Sequence, residues 1–345
     1  MSFTGPALTF RRFRIYGEAP SNATIRAGIE KYTFDAKPRA RSEEPNYGWA
    51  ELGQAGKSCL VPFVAGSIVA ASVRFDRKRI NGAAFALACD AKYEEVMKAR
   101  GVERIGANHK QEIKEALKEE LLGQAFPAVS MVDLVWSLDV GEVWIFASSD
   151  TAVDLVRGLF HDSFGTRLFP DRPHDWLPAE SKPAPRYEDG IGFDCNDAVE
   201  SRPEAMPGFL TFLMGDEGQH LGWWLEDKAL FADIENGRAL LSGPGLAPDS
   251  PEVETITVAG KTPASIKVGY RPPDGESEWR GTLKVHGPTL EIAGLKLPAV
   301  VKDGAEEMVL ERHYLLGLFL AAVRSAFVMY WETVVAGGVS EGDRE

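Results

Sequence analysis

Two hydrophobic periodicities alternate along the first half of the chain. Residues 8–16 alternate between two faces as a strand does, whereas Ile113, Leu117 and Leu121 form a stripe with helical spacing. The two patterns predict strands at 8–16, 61–75, 131–138 and 142–148, and helices at 24–32, 90–100, 109–122 and 151–160. We expect the third and fourth of these strands to form a hairpin.

The hydrophobic periodicity is lost between residues 169 and 207, where the chain contains seven prolines. We predict an N-terminal α+β domain (1–170), a connector (171–207) and a mostly β C-terminal domain (208–345). In the last, the pattern predicts strands at 209–214, 222–225, 229–234, 238–242, 256–258, 265–270, 279–285 and 289–292, and then a long apolar helix at about 306–335. The predicted fold class is α+β, with two lobes of antiparallel sheets and flanking helices.

Composition is that of an ordinary globular protein. The 345 residues are 44% hydrophobic and 26% charged, enough for about two domains. Cys59, Cys89 and Cys195 lie far apart without a CxxC pair, which favours a reducing compartment over a disulfide framework or a zinc site. The most apolar stretch, 315–323, is far shorter than the ~20 residues that span a bilayer. We expect a cytoplasmic protein with neither a secretory signal nor a membrane partner.

The net charge of −13 is distributed unevenly. Residues 1–118 hold 20 Lys and Arg against 13 Asp and Glu, a net of +7, and residues 119–345 hold 18 against 38, a net of −20. Such asymmetry is a hint of nucleic-acid or membrane contact, although an acidic protein with one milder region shows it too. Because each phosphate is contacted by an individual cation at short range, a local basic surface suffices for DNA binding.

One segment resembles a phosphate-binding P-loop. Residues 53–58 read Gly-Gln-Ala-Gly-Lys-Ser, but Glu51 stands where the motif requires its first glycine, and Pro62 interrupts the helix that should follow. We interpret the segment as a loop. A nucleotide-using enzyme at Gly53–Ser58 remains an alternative.

Other arrangements are weaker candidates for chemistry. Pro170-Asp171 with Glu180-Ser181-Lys182 superficially resembles a magnesium-dependent nuclease pattern, but no predicted strand fixes its carboxylates. His161-Asp162 and His174-Asp175 lack a metal-ligand spacing. We therefore expect a protein that is not an enzyme, with no catalytic residue, metal or cofactor.

Two groups of cations remain in the N-terminal part. One lies at the end of the strand predicted at 61–75, and the other occupies i, i+4 and i+8 of the helix predicted at 109–122. Their members are Arg74, Arg77, Lys78 and Arg79 in the first group and Lys110, Lys114 and Lys118 in the second. Positive side chains on rigid elements suit duplex binding without base readout. A solvated face with Glu–Lys pairs is the alternative.

Several blocks resemble the RdgC family by their order rather than singly. They are Tyr47-Gly-Trp49, the strand 67–73 with the basic run 74–80, the Lys/Glu helix that ends at Ala125-Phe126, the hairpin 135–149 and Phe169-Pro170. The resemblance covers roughly residues 10–170, and looser matches lie at 209–213 and 295–298. Gly123 stands where the family usually has proline, and the second half shows no evident basic counterpart.

The resemblance implies a ring-forming homodimer whose positively lined hole encircles double-stranded DNA without strong sequence preference. It further implies a nucleoid-associated protein that modulates a RecA-type recombinase in DNA recombination or replication. The candidate DNA-binding residues are Arg74, Arg77, Lys78, Arg79, Lys110, Lys114, Lys118 and Phe126. Phe126 is equally well explained as a hydrophobic anchor after a helix. A phage or defence-related scaffold that keeps the ring but not DNA binding is a further alternative.

Overall fold

A computed structural model of the chain describes residues 2–35, 45–52, 63–65, 67–178, 205–232, 237–243, 246, 249–273, 275–287, 289–298 and 305–336. The loop 53–58 and residues 180–182 of the nuclease-like pattern lie outside these ranges, as do Cys59 and Cys195. The described residues combine helices with an antiparallel sheet, so the predicted α+β class is confirmed.

Twelve strands form this sheet. They are β1 Leu8–Arg14, β2 Asn46–Ala50, β3 Phe63–Ala65, β4 Ile68–Arg77, β5 Ala128–Ser137, β6 Glu142–Ile145, β7 Phe169–Pro170, β8 Trp223–Ala232, β9 Arg238–Ser242, β10 Thr262–Tyr270, β11 Trp279–His286 and β12 Thr289–Lys296. Their order is β2-β4-β5-β6-β1-β12-β11-β10-β8-β9, with β3 on β4 and β7 on β1. Strand β1 pairs with β6 through Arg11–Arg14 and with β12 through Leu8 and Phe10, so it joins the strands of the two halves.

The helices are α1 Asn22–Lys31, α2 Gly82–Arg100, α3 Ala107–Gln124, α4 Asp150–Phe164, α5 Ala205–Met214, α6 Asp216–His220, α7 Pro251–Val258 and α8 Ala305–Tyr330. A 3₁₀ turn covers Pro173–Trp176, and α8 continues as a π-helical turn, Trp331–Ala336. Helix α1 begins where the Ser21 side chain accepts from the amide of Thr24, and α2 begins where Asn81 accepts from Ala83 and Ala84.

The N-terminal half of the sheet is buried on both faces. Leu134 and Trp136 of β5 belong to a core formed with α1 and α4, whereas Val135 belongs to a larger core shared with α5, α8 and the C-terminal strands. Helices α1 and α4 cross closely at Gly28, where a Cβ atom would lie 2.4 Å from the carbonyl oxygen of Ser163. This crossing therefore requires glycine.

Two predicted strands are helical in the structure, one is a hairpin, and the strands predicted at 222–225 and 229–234 are parts of the single strand β8. Residues 209–214 belong to α5, because a completely buried apolar run has no polar positions that reveal its period. Residues 256–258 end α7, which Ser250 caps and Pro251 begins. The strand predicted at 61–75 is instead a hairpin of β3 and β4, in which Ala65 pairs with Ile68.

Helix α8 is apolar because it is a core helix. Residues 307–335 have a mean hydropathy of 1.5 over their best window, long and apolar enough to cross a membrane by length and composition alone. Phe319, Val323 and Phe327 are completely buried in the larger core. Packing against the larger core therefore accounts for the apolar residues on the buried face of this helix.

Candidate nucleic-acid interface

Helices α2 and α3 form an arm at one end of β4 and β5. Each helix has the other as its main packing partner, and within them only Cys89 and Leu122 are buried. Arg77, the last residue of β4, pairs with Ala128, the first residue of β5, so the arm is inserted between two paired strand ends. Its 19-residue helix α2 is about 28 Å long at 1.5 Å per residue.

Lys78 links the end of β4 to α3 at the base of this arm. Its side chain is buried, and Nζ donates to the carbonyl oxygen of Leu122 at 2.8 Å. Carbonyl groups in the last turn of a helix lack intrahelical donors, and the helix dipole favours a cation there. Lys78 is therefore a structural contact between β4 and α3, and its ammonium group is turned away from solvent.

Arg74 is also engaged within the protein. Its Nε and Nη2 atoms donate to the two carboxylate oxygens of Asp76 at 2.8 Å, and the guanidinium lies 4.3 Å from the ring centroid of Phe34. The hydrogen bonds with Asp76 raise the pKa of Arg74. Much of the positive charge of Arg74 is compensated locally.

Arg77, Arg79 and Phe126 are exposed at the base of the arm. Phe126 follows α3 and is 94% exposed, more than any other large hydrophobic side chain described. It stands two residues before Ala128, the partner of Arg77, so the ring and this arginine belong to the same corner of the structure. The corner combines an aromatic ring with local positive charge.

Lys110, Lys114 and Lys118 are exposed on α3, as their spacing predicted. They cover about 12 Å of the helix. The Nζ atom of Lys110 lies 5.3 Å from the ring centroid of Tyr93, whose hydroxyl donates to the carbonyl oxygen of Lys110. The lysines thus form a row on the arm, beyond its base.

One acidic candidate, Asp171, has a structural role. Asp171 is buried, accepts from Nε of Arg14 at 2.5 Å, and lies 3.2 Å from Nη2 of Arg12. Burial raises the pKa of Asp171, but the attraction of the arginines outweighs it and holds the pKa below its ordinary value. Within the described ranges, no three His, Cys, Asp or Glu side chains are grouped to hold a metal ion.

The histidines of the two His-Asp pairs lie in different surroundings. His161 is exposed in the last turn of α4, whereas His174 is buried with its ring 6.3 Å from that of Trp331. Sequence reasoning missed the cluster around Arg12, Asp171 and Arg324, which joins residues far apart in the chain. The only signal in the sequence was the placement of Arg12 and Arg14 on one face of β1.

Comparison with known proteins gave one family. Residues 10–173 match the family described as "Putative exonuclease, RdgC". This range extends from β1 to the 3₁₀ turn after β7 and includes all eight candidate residues. The resemblance to the RdgC family predicted from the sequence is confirmed. No curated protein matches the chain.

Proposed function

Since residues 10–173 belong to the RdgC family, we propose that this chain binds double-stranded DNA without strong sequence preference. Membership in that family supports a recombination-associated, DNA-binding protein in general. Our proposal is that the DNA is double-stranded and that a defined surface of the chain contacts it. We assign the contact to the arm and its base.

The observation that carries the proposal is the exposure of Phe126. Keeping a phenylalanine side chain in water forgoes about 1.5–3 kcal/mol that burial would provide. Apolar side chains that enter the grooves of DNA insert between base steps and kink the duplex. A ring that is 94% exposed, two residues from the strand partner of Arg77, suits this role, because the arginine can hold a phosphate while the ring contacts the bases.

The lysine row supplies a second set of phosphate contacts. Neighbouring lysines on α3 are about 6 Å apart along the helix, and three of them extend over the axial length of three to four base pairs. Arg79 adds an exposed cation at the base. We leave Lys78 out of the proposed contact surface because it is buried against Leu122.

A ring-shaped homodimer explains how an acidic chain holds DNA. The net charge of −20 in residues 119–345 repels phosphate, so the contact depends on cations concentrated on one surface. Two copies that close around a duplex direct both arms toward it. We infer that such a ring, acting at the nucleoid in the cytoplasm, occupies DNA that a RecA-type recombinase would otherwise use.

The family description also names an exonuclease. We propose binding without cleavage, because the buried Asp171 is committed to arginines rather than open to a metal ion. End-labelled linear duplex incubated with the protein and Mg²⁺ is expected to keep its label. Progressive loss of the label, at a rate proportional to protein concentration, would refute this part of the proposal.

The central experiment is a binding titration on a 30-base-pair duplex at several salt concentrations. Phosphate contacts release counterions, so we expect the affinity to fall steeply between 50 and 200 mM salt, by about 10³-fold or more if six or more phosphates are contacted. An affinity that is independent of salt would refute the proposal. An intact dimer that binds no DNA at any salt concentration would favour the scaffold alternative.

Two further measurements address the ring and the nucleotide-enzyme alternative. Size-exclusion chromatography with linear and nicked circular duplex tests encirclement, because a closed ring slides off linear ends but stays on a circle. Replacement of Lys57 by Ala tests the Gly53–Ser58 alternative, and loss of a nucleotide-dependent activity would favour the enzyme over our proposal.

A further inference from the structure

Five charged side chains meet where the N-terminal strands contact α8. Three are guanidinium groups and two are carboxylates, which gives a net charge of +1. The members are Arg12 and Arg14 of β1, Glu142 of β6, Asp171 after β7, and Arg324 of α8. Arg172 and Asp175 at the edge of this arginine cluster carry opposite charges and leave the sum unchanged.

The two carboxylates are already well supplied with donors. Asp171 accepts from Nε of Arg14 at 2.5 Å and from Nε1 of Trp176 at 3.0 Å. Glu142 accepts from Nη2 of Arg14 at 3.2 Å and from Nη2 of Arg324. The cluster therefore contains more positive charge and more N–H groups than its own acceptors satisfy.

Arg12 accounts for the excess of positive charge and of N–H groups. Its side chain is only 2% exposed, and none of its guanidinium nitrogens makes a hydrogen bond with the part of the chain that the structure describes. Nη2 lies 3.2 Å from Asp171, but Nε and Nη1 have no hydrogen-bond partner within the described ranges. Trp176 covers one face of the guanidinium at 4.3 Å, so an acceptor must approach in the plane of the N–H groups.

A buried charge without full compensation is unfavourable, and a buried donor without an acceptor is too. Arg14 and Arg324 are 26% and 30% exposed, so two members of the cluster reach solvent. Nε of Arg324 is buried and also makes no hydrogen bond within the described residues. Among the residues that the structure describes, the donors of this cluster that make no hydrogen bond belong to the cations Arg12 and Arg324, and an anion is the acceptor that suits them.

We propose that the arginine cluster is a binding site for a small inorganic anion, chloride or phosphate. The anion accepts from the in-plane N–H groups of Arg12 and cancels the net positive charge. Because Arg12 lies on β1 and Arg324 on α8, the bound anion stabilises the junction between the family-matched region and the C-terminal helix. This site is separate from the arm, and it does not depend on DNA binding.

Bromide replaces chloride in such sites and can be located by its anomalous scattering. Crystals of the full chain soaked in sodium bromide are expected to show an anomalous peak within hydrogen-bond distance of Nε or Nη1 of Arg12. Soaking with sodium phosphate distinguishes the oxyanion, which appears there as tetrahedral density. Bromide peaks only elsewhere on the protein, together with no phosphate density at the cluster, would overturn the proposal.

Thermal unfolding provides a test in solution. Chloride or phosphate is titrated at constant ionic strength against sodium gluconate, whose bulky anion cannot enter the cluster. Because a ligand that binds only the folded state raises Tm, we expect a saturable rise of a few degrees with at least one of the two ions. The ion that saturates at the lower concentration is the preferred ligand.

Substitutions of single arginines test whether the anion-dependent rise of Tm arises at the arginine cluster. Arg12→Met should abolish the saturable rise, and Arg26→Met, at an exposed arginine of α1, should keep it. If Arg12→Met does not fold, Arg324→Gln serves as the second variant, and we expect it to weaken the anion response at least 10-fold. Equal anion responses in the unmodified protein and in whichever variant folds would overturn the proposal.

Discussion

The Nζ atom of Lys78 donates to the carbonyl oxygen of Leu122 at 2.8 Å and ties the segment that enters the arm to the helix that leaves it. The bond lies at the C-terminal end of α3, where the charge of a lysine offsets the negative end of the helix dipole. It closes the arm at its base and sets the direction of α3 relative to β4. The lysine row and Phe126 therefore occupy fixed positions relative to the sheet.

Replacement of Lys78 by Met should loosen the arm. A hydrogen bond to a charged group contributes about 1.5–3 kcal/mol, and the change also leaves the carbonyl of Leu122 without this donor. We expect faster amide hydrogen exchange in α2 and α3, with exchange in α1 and α4 unchanged. Lys114→Met, at an exposed lysine of α3, is the control and should leave exchange as it is. Unchanged exchange in the Lys78 variant would show that the bond does not hold the arm.

Replacement of Phe126 by Ala should weaken DNA binding without destabilising the protein. Loss of the apolar contact of the ring removes about 1.5–3 kcal/mol of burial, so we expect the Kd to rise about 10- to 150-fold. Tm should stay constant because the ring is 94% exposed. Phe169→Ala, at the exposed phenylalanine that contacts Tyr16, is the matched control and should bind as the unmodified protein does. A Kd unchanged by Phe126→Ala would contradict insertion of this ring between base steps.

Replacement of Lys110, Lys114 and Lys118 together by Ala should reduce the salt dependence of binding. Each lost phosphate contact lowers the slope of log K against log salt by about 0.9, so the triple variant should lose between two and three units of slope. Lys228→Ala, at an exposed lysine of β8, is the control. If the triple variant keeps the full slope, the row is a solvated face.

Replacement of His313 by Gln should reduce the loss of stability on mild acidification. His313 lies between Ser137, whose hydroxyl is 2.7 Å from Nε2, and Trp144, on whose ring it stacks. Burial lowers the pKa of His313, and the opposing influence of Asp139 and Glu142 is smaller. The unfolded chain therefore takes up a proton first as pH falls through about 6.5, and the free energy of unfolding falls with it.

Denaturant unfolding at pH 7.5 and pH 5.5 measures this difference. The unmodified protein should lose more stability between these values than His313→Gln does. His161→Gln, at an exposed histidine of α4, should behave as the unmodified protein. The same pH dependence in all three proteins would exclude His313 as its source.

The strands and helices whose hydrophobic period was visible could be predicted from the sequence. Helix α4 alternates buried Val153 and Val156 with exposed Asp154. The hairpin of β5 and β6 has no such period because both strands are buried, and it was predicted from two apolar runs on either side of residues 139–141. Helix α5 could not be predicted in this way, because its residues from Phe209 to Met214 are almost all buried and leave no period to read.

The candidate site was predictable in part. Spacing along a helix is local information, and it predicted that Lys110, Lys114 and Lys118 share an exposed row. The burial of Lys78 depends on Leu122, 44 positions away, and the partial compensation of the Arg12 charge depends on Asp171 and Glu142. Such partners are selected by the tertiary fold, and a single sequence does not indicate them.

The position of β1 between β6 and β12 has a consequence for how the protein is made. Leu8 leaves the ribosome long before its partner Leu295 is synthesised. The edge of β1 that pairs with β12 therefore stays unpaired until β12 is synthesised. An unpaired strand edge can pair with other chains. Contacts so distant in sequence also slow folding, so we expect the pairing of β1 with β12 to form late in the folding of a new molecule.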